Sequence, residues 1–108
     1  MILMADKFWK KAERRIAELF GTERTPLSGS NSKNTSSDTL HSLFYIEIKS
    51  GKRRKATKLW VDVVEKAERE GKIPLLIEHG WRENILDSRI TMRLKDFLEF
   101  YKYYSKNK

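Results

Sequence analysis

The sequence predicts one α/β domain, a central mixed β-sheet flanked by helices, and three observations carry that expectation. Two apolar runs of strand length, Phe44 to Lys49 and Ile73 to Glu78, are separated by a stretch of helical periodicity. Further helical stripes lie near both ends of the chain. The 108 residues, 39% of them hydrophobic, suffice for one core but not for two, so residues 1–108 form a single unit.

From Asp6 to Phe20, Phe8, Trp9, Ala12, Ile16, Leu19 and Phe20 form one helical stripe, and Gly21 ends it. Glu13 falls at the edge of this stripe, where a carboxylate can lean over a sheet. Arg14 and Arg15 flank it on more exposed sides, and Glu18 points to solvent. Residues 25–37 are rich in Ser, Thr and Asn and have too little apolar surface to pack, which predicts a mobile loop placed to close over a substrate. The loop lacks the Gly-Lys-Ser/Thr ending of a phosphate-binding P-loop, so no nucleotide cofactor is expected.

Asp38 is expected to open a short strand, with Ser42 and Leu43 at the tip of a hairpin into the next. Asp38 then falls opposite Glu47, close enough for the two to share one cation. A slip of one residue would turn Asp38 to the other face. In the following strand, Phe44-Tyr45-Ile46-Glu47-Ile48-Lys49, residues two apart project the same way. Ile46 and Ile48 anchor one face, while Glu47 and Lys49 point together from the other. A basic run follows directly, comprising Lys52, Arg53, Arg54, Lys55 and Lys58.

Ala56, Leu59, Trp60, Val63, Val64 and Ala67 then repeat at helical spacing up to Gly71, with Trp60 read as core. Ile73 to Glu78 is a buried strand whose Pro74 sits near its start, where a missing donor is tolerated. A further short strand is expected over Arg89 to Arg93. The last helix, Lys95 to Tyr104, has Leu94, Phe97, Leu98 and Tyr101 on one stripe and leaves Phe100, Tyr103 and Tyr104 in surplus. That surplus suggests a partner surface.

Glu-x-Lys in a strand is by itself commonly a surface charge pair. Beside Asp38 and Glu13, however, it supplies what a magnesium-dependent phosphodiesterase needs: oxygen ligands for a hard cation and a lysine next to them. The charge balance agrees, since 23 Lys and Arg against 15 Asp and Glu give a net charge of +8. Such a surface attracts phosphate backbones. Other chemistries fare poorly. His41 and His79 lie in no zinc-ligand spacing, and no Gly-x-Ser-x-Gly elbow accompanies the serines. Cysteine is absent, which excludes disulfides and thiolate metal sites and is compatible with a reducing cytoplasm. No apolar run reaches membrane-spanning length and the start is too short for a signal peptide, so the expected setting is soluble and intracellular, with no membrane partner. A core this small, acting on a two-stranded substrate, also suggests a homodimer.

These residues, taken in order, resemble the archaeal-type Holliday junction resolvases of the PD-(D/E)XK nuclease superfamily. Ala12-Glu13-Arg14-Arg15-Ile16 is similar to the family's first-helix segment, with its glutamate and following arginine. Arg24 and Ser28-Gly29-Ser30 resemble the arginine and serine-glycine loop that come next. Asp38 takes the motif aspartate, and Ile46-Glu47-Ile48-Lys49-Ser50 resembles the I-E-x-K strand. Ser37 stands where the superfamily's name has proline, and only eight residues separate Asp38 from Glu47, so the hairpin must be tight. The compact chain suggests a phage- or virus-type version.

The resemblance implies a restriction-endonuclease-like fold and catalytic residues Glu13, Asp38, Glu47 and Lys49. Asp38, Glu47 and the Ile48 carbonyl would hold Mg²⁺, with Mn²⁺ able to substitute, and Glu13 would complete the site directly or through water. Arg14, Arg24, Ser28, Ser30, Lys52, Arg53, Arg54 and Lys55 would contact DNA. The implied activity is paired symmetric nicking of four-way junctions by a twofold dimer, leaving 5′-phosphates. Another branched-DNA or nicking nuclease of the superfamily and a non-catalytic DNA-binding module are the alternatives.

Overall fold

A computed structural model describes residues 2–26, 35–51 and 56–106. The chain runs α1 (Ile2–Leu19), β1 (Phe44–Gly51), α2 (Ala56–Glu70), β2 (Ile73–Gly80), a single 3₁₀ turn (Ile85–Asp87), β3 (Arg89–Thr91) and α3 (Leu94–Lys106). The three strands form one mixed sheet in the order β1-β2-β3. β1 pairs in parallel with β2 from Phe44↔Ile73 to Gly51↔Gly80. β3 pairs antiparallel with β2. A parallel pair needs a crossover connection, and α2 supplies it.

The period-2 pattern of β1 sorts its residues between two faces. Ile46 and Ile48 join Leu75 and Ile77 of β2 and Ile16 of α1 in one buried cluster. Tyr45, on the opposite face, packs with Val63 and Ala67 of α2. Each helix thus covers one side of the sheet. Both end in the same way: Gly21 and Gly71 take left-handed φ values of 70° and 66°. In each case the next N–H reaches back five residues, from Thr22 to the Ala17 carbonyl and from Lys72 to the Ala67 carbonyl, both at 2.9 Å. These are Schellman caps, which satisfy carbonyls the helix end leaves open. Among the described residues, no helix is long and apolar enough to cross a membrane.

Several boundaries and faces differ from the sequence expectation. α1 begins at Ile2 rather than Asp6, β2 runs on through His79 to Gly80, and β3 stops at Thr91. On α1, Trp9 and Leu19 are exposed while Ala17 is buried, so the covered stripe is narrower than the apolar one. The larger correction concerns α3, none of whose residues is buried. Leu94, Phe97, Leu98 and Tyr101 face outward. Phe100, read as surplus, has its ring 5.7 Å from that of Phe44, and with Phe97 it lines an apolar groove against the body of the domain. Helical periodicity finds an apolar stripe but says nothing of what covers it.

The polar segment expected to be a loop is tied down at both described ends. Thr25, Thr35 and Ser37 are buried. Thr35 Oγ1 donates to Glu70 Oε1 at 2.5 Å, and Ser36 N donates to Glu70 Oε2 at 3.0 Å. Hydrogen bonds thus hold residues that lack the apolar surface to pack. Burial alone would raise the Glu70 pKa; the bonds from Thr35, Ser36 and Lys72 outweigh it and hold the carboxyl below its ordinary value. The centre of that segment, with Ser28 and Ser30, lies outside the described residues, as does Lys52 to Lys55.

Candidate active site

β1 is an edge strand, so its outer side must find hydrogen bonds elsewhere than in a neighbouring strand. The expected strand at Asp38 does not form; Arg24 and Thr39 make an isolated bridge instead. Asp38 N donates to the Ile46 carbonyl at 2.9 Å, one residue earlier than the expected pairing with Glu47. The rest of the ladder is replaced by side chains. Ser37 Oγ accepts from Ile46 N at 2.9 Å and lies 3.1 Å from the Ile46 carbonyl oxygen. Asp38 Oδ2 accepts from Ile48 N at 2.8 Å. The turn between is closed by His41, whose Nδ1 accepts from Leu43 N and Phe44 N, both at 3.1 Å. His41 is a turn residue here.

This covering of the edge decides what meets there. Glu47 and Lys49 share the parity of Tyr45 and so belong to the α2 side, whereas Glu13 rides on α1, on the other. Side chains from both faces can converge around this edge because, among the described residues, a connecting segment rather than a further strand lies along it. They do so in a pocket of about 140 Å³ lined by Trp9, Glu13, Asp38, Glu47, Ile48, Lys49 and Ser50. In an extended residue the N–H and C=O point to the same edge. The N–H of Ile48 faces Asp38, so its carbonyl lies on the pocket side as well.

The electrostatics are strained. The Asp38 carboxyl is raised from 3.8 to about 7, first by burial and next by the charge of Glu47, with Glu13 adding to it; the Ile48 N–H and Lys49 pull the other way. Two cations partly offset the acids. Lys49 Nζ lies 3.3 Å from Glu47 Oε2, and Arg24 Nε donates to Glu13 Oε1 at 2.6 Å. Carboxylates with a backbone carbonyl are a donor set suited to a hard divalent cation, and the charged form of Asp38, disfavoured by burial and by Glu47, is what such an ion would stabilise. With Glu13 held by Arg24 and Glu47 by Lys49, however, no three acidic or histidine side chains among the described residues converge as they stand into a set able to hold an ion.

Of the residues singled out from the sequence, Glu13, Asp38, Glu47, Ile48 and Lys49 line one pocket. Arg24 reaches that pocket through its ion pair with Glu13. Arg14 does not join them. It lines a separate shallow concavity with Glu18, Thr22, Glu23 and Arg24, and its Nε donates to the Lys10 carbonyl at 3.3 Å. Two lining residues escaped the sequence reading. Trp9 precedes Glu13 by four positions, which places both on one helical face. Ser50 lies two residues beyond Ile48 in the same strand. Compared with known protein families, with curated proteins and with solved structures, the chain matches none.

Proposed function

We propose that this chain is a metal-dependent endodeoxyribonuclease that resolves four-way DNA junctions by paired nicks. It would act as a homodimer in the cytoplasm, with a restriction-endonuclease-like arrangement of sheet and acidic residues. One observation carries the proposal: Glu13, Asp38, Glu47 and Lys49, drawn from a helix, a connecting segment and a strand, line a single pocket on a chain of net charge +8. The basic surface accounts for attraction to a phosphate backbone and the pocket for chemistry upon it.

Asp38, Glu47 and the Ile48 carbonyl would hold Mg²⁺, or Mn²⁺ in its place, with Glu13 completing the set directly or through water. Such an ion supplies Lewis acidity, lowering the pKa of a nearby water and offsetting charge on the phosphoryl oxygens. The residues themselves do the rest. Asp38 gives up the proton that its burial favours. Lys49, as an ammonium, moves from Glu47 to orient the attacking water and donate to a phosphoryl oxygen, while the proton the water loses passes to solvent. Water adds to phosphorus as the bond to the 3′ oxygen breaks, leaving a 5′-phosphate and a 3′-hydroxyl. Arg24, released from Glu13, would meet a phosphate.

A junction has two strands to cut symmetrically, and one chain has one such pocket, which favours a twofold pair. α3 offers the surface. Leu94, Phe97, Tyr101 and Tyr104 recur at spacings of three, four and three, the seam by which one helix pairs with another. The two outer members of that repeat are 70% and 64% exposed.

The deciding experiment is cleavage of a labelled four-way junction beside duplex of the same sequence, with Mg²⁺ and with chelator. Paired, magnesium-dependent nicks confined to the junction are expected. Cutting of flaps or plain duplex instead would make the chain another nuclease of the superfamily. Binding without cutting would favour a silent DNA-binding module.

A further inference from the structure

We infer that Trp81 is a stacking platform for an unpaired nucleobase at the rim of the carboxylate pocket. The inference rests on the nucleic-acid reading above and adds a subsite to it. Trp81 follows the last β1–β2 pair, Gly51 with Gly80, and Ser50, which lines the pocket, is paired with His79. Neighbouring strands lie about 4.8 Å apart. The backbone of Trp81 therefore sits within roughly 10 Å of the pocket wall. On the helix side, Trp9 lines the pocket and Phe8, the preceding residue of α1, touches Trp81.

The tryptophan is both open and supported. It is 60% exposed. The Phe8 ring lies 5.2 Å from it at 46°, and Phe8 in turn stacks on His79 at 5.6 Å and 22°. His79 is buried, with its Nε2 2.7 Å from the Glu83 carbonyl oxygen. A three-ring ladder thus runs from the interior to the surface and ends in an exposed indole. The turn that presents it is held from both sides: Glu83 N donates to the Gly80 carbonyl at 3.1 Å, and Gly80 N donates to Glu83 Oε1 at 3.0 Å. Arg82, within that turn, takes a φ of 62°, a conformation that non-glycine residues adopt at a cost and that tends to mark functional segments.

A planar apolar surface backed by aromatic rings, followed directly in the chain by the exposed Arg82, suits a base attached to a phosphodiester. Stacking on an aromatic face is indifferent to base identity. It does require a free face, which a base inside an intact duplex lacks. Trp81 therefore favours DNA with unstacked bases, at a branch point, gap or frayed end, over continuous duplex.

The test is binding in chelator, where no cutting can occur, of full-length wild type, Trp81→Phe and Trp81→Ala to oligothymidylate, a four-way junction and plain duplex. Trp81→Ala is expected to weaken oligothymidylate about tenfold while leaving duplex within about twofold. Trp81→Phe, which keeps an aromatic face, should recover most of the loss. Thermal melting of the free variants identifies a folding defect, which would lower all three affinities together. Equal loss on oligothymidylate and duplex, or none on either, overturns the platform. A wild type that cuts no DNA, but whose Trp81→Ala variant loses oligothymidylate selectively, would remove the nuclease reading and leave the platform standing.

Discussion

Asp38 Oδ2 accepts the backbone N–H of Ile48 at 2.8 Å, and this bond aims the aspartate at the strand that carries Glu47 and Lys49. It does so on the edge of β1 that faces away from β2, where no strand among the described residues sets the register. It also leaves the aspartate among like charges, because the same approach that satisfies Ile48 brings the carboxyl up to Glu47.

If Asp38 and Glu47 are the oxygen donors of the reaction, Asp38→Asn and Glu47→Gln each remove one donor while keeping shape. Each is expected to lower magnesium-dependent nicking by at least about a hundredfold. Junction binding in chelator should stay close to wild type, since phosphate contacts elsewhere dominate it. Single-turnover nicking rates and gel-shift titrations check the two halves separately. A fully active Asp38→Asn protein would remove Asp38 from the site.

The raised Asp38 pKa gives stability a pH dependence whose sign follows from linkage. A carboxyl at about 7 in the fold and near its ordinary value when unfolded binds more protons when folded. Its contribution is therefore fully present below about pH 4 and is lost as pH rises through about 7, by at most about 1.4 kcal/mol per pH unit. In chelator, the melting temperature of wild type relative to Asp38→Asn should fall across that window. Added Mg²⁺ should recover the loss at pH 7.5 and have little effect at pH 4. Glu70 acts oppositely: its depressed pKa gives stability that is present above about 4.5 and lost as acid titrates it. A flat difference between wild type and Asp38→Asn would contradict the burial of Asp38 among acids.

Ser37 replaces a strand partner with one hydroxyl. Its Oγ serves Ile46 N, the Ile46 carbonyl and Thr39 N, at 2.9, 3.1 and 3.3 Å, and the residue is fully buried. Ser37→Ala leaves the N–H of Ile46 without its partner inside the protein, at a cost of about 1 to 3 kcal/mol. Urea unfolding should show the lower midpoint with an unchanged slope. Ser37→Thr, which keeps the hydroxyl, should recover part of it.

Ser37 also shows where the sequence stopped being legible. The period of β1 is read directly from Ile46, Glu47, Ile48 and Lys49, because alternation follows from local geometry. Glu13 is placed by the helical stripe around it for the same reason. The sequence brings Asp38 near Glu47 but by way of a strand that does not form, since a side chain that replaces a ladder bond leaves no periodic trace. The Glu13–Arg24 pair spans 11 residues, and the bond from Thr35 to Glu70 spans 35. Such pairs depend on how the elements dock, which no local pattern reports. Trp81 carries no periodic signal either, lying just past the end of β2.

The last prediction concerns α3, whose charges fall in an informative pattern. Lys95, Asp96, Glu99, Lys102 and Lys106 all lie off the Leu94, Phe97, Tyr101 and Tyr104 seam, and the adjoining Leu98, Phe100 and Ser105 are uncharged. A second copy could therefore approach along that line despite the net charge of +8. Run antiparallel, the helices would bring Lys102 and Lys106 of one towards Asp96 and Glu99 of the other, with Lys95 the exception. Half-exposed aromatic residues present roughly 100 Å² each. Phe97, Phe100, Tyr101 and Tyr104 then supply about half of the roughly 800 Å² per partner that a stable dimer buries. The adjoining apolar groove, which Phe97 and Phe100 line together with Phe20, Phe44, Leu75, Ile90 and Met92, continues that surface onto the body of the domain. Tyr101→Glu, which places a charge in the middle of the seam, should convert the dimer to a monomer in sedimentation velocity at micromolar concentration, with Lys102→Ala remaining dimeric. The monomer should still bind a junction but nick its two strands in separate events, so that singly nicked product accumulates. A Tyr101→Glu protein that sediments as wild type would move the pairing surface away from α3, and a wild type that is monomeric at every concentration would remove it altogether.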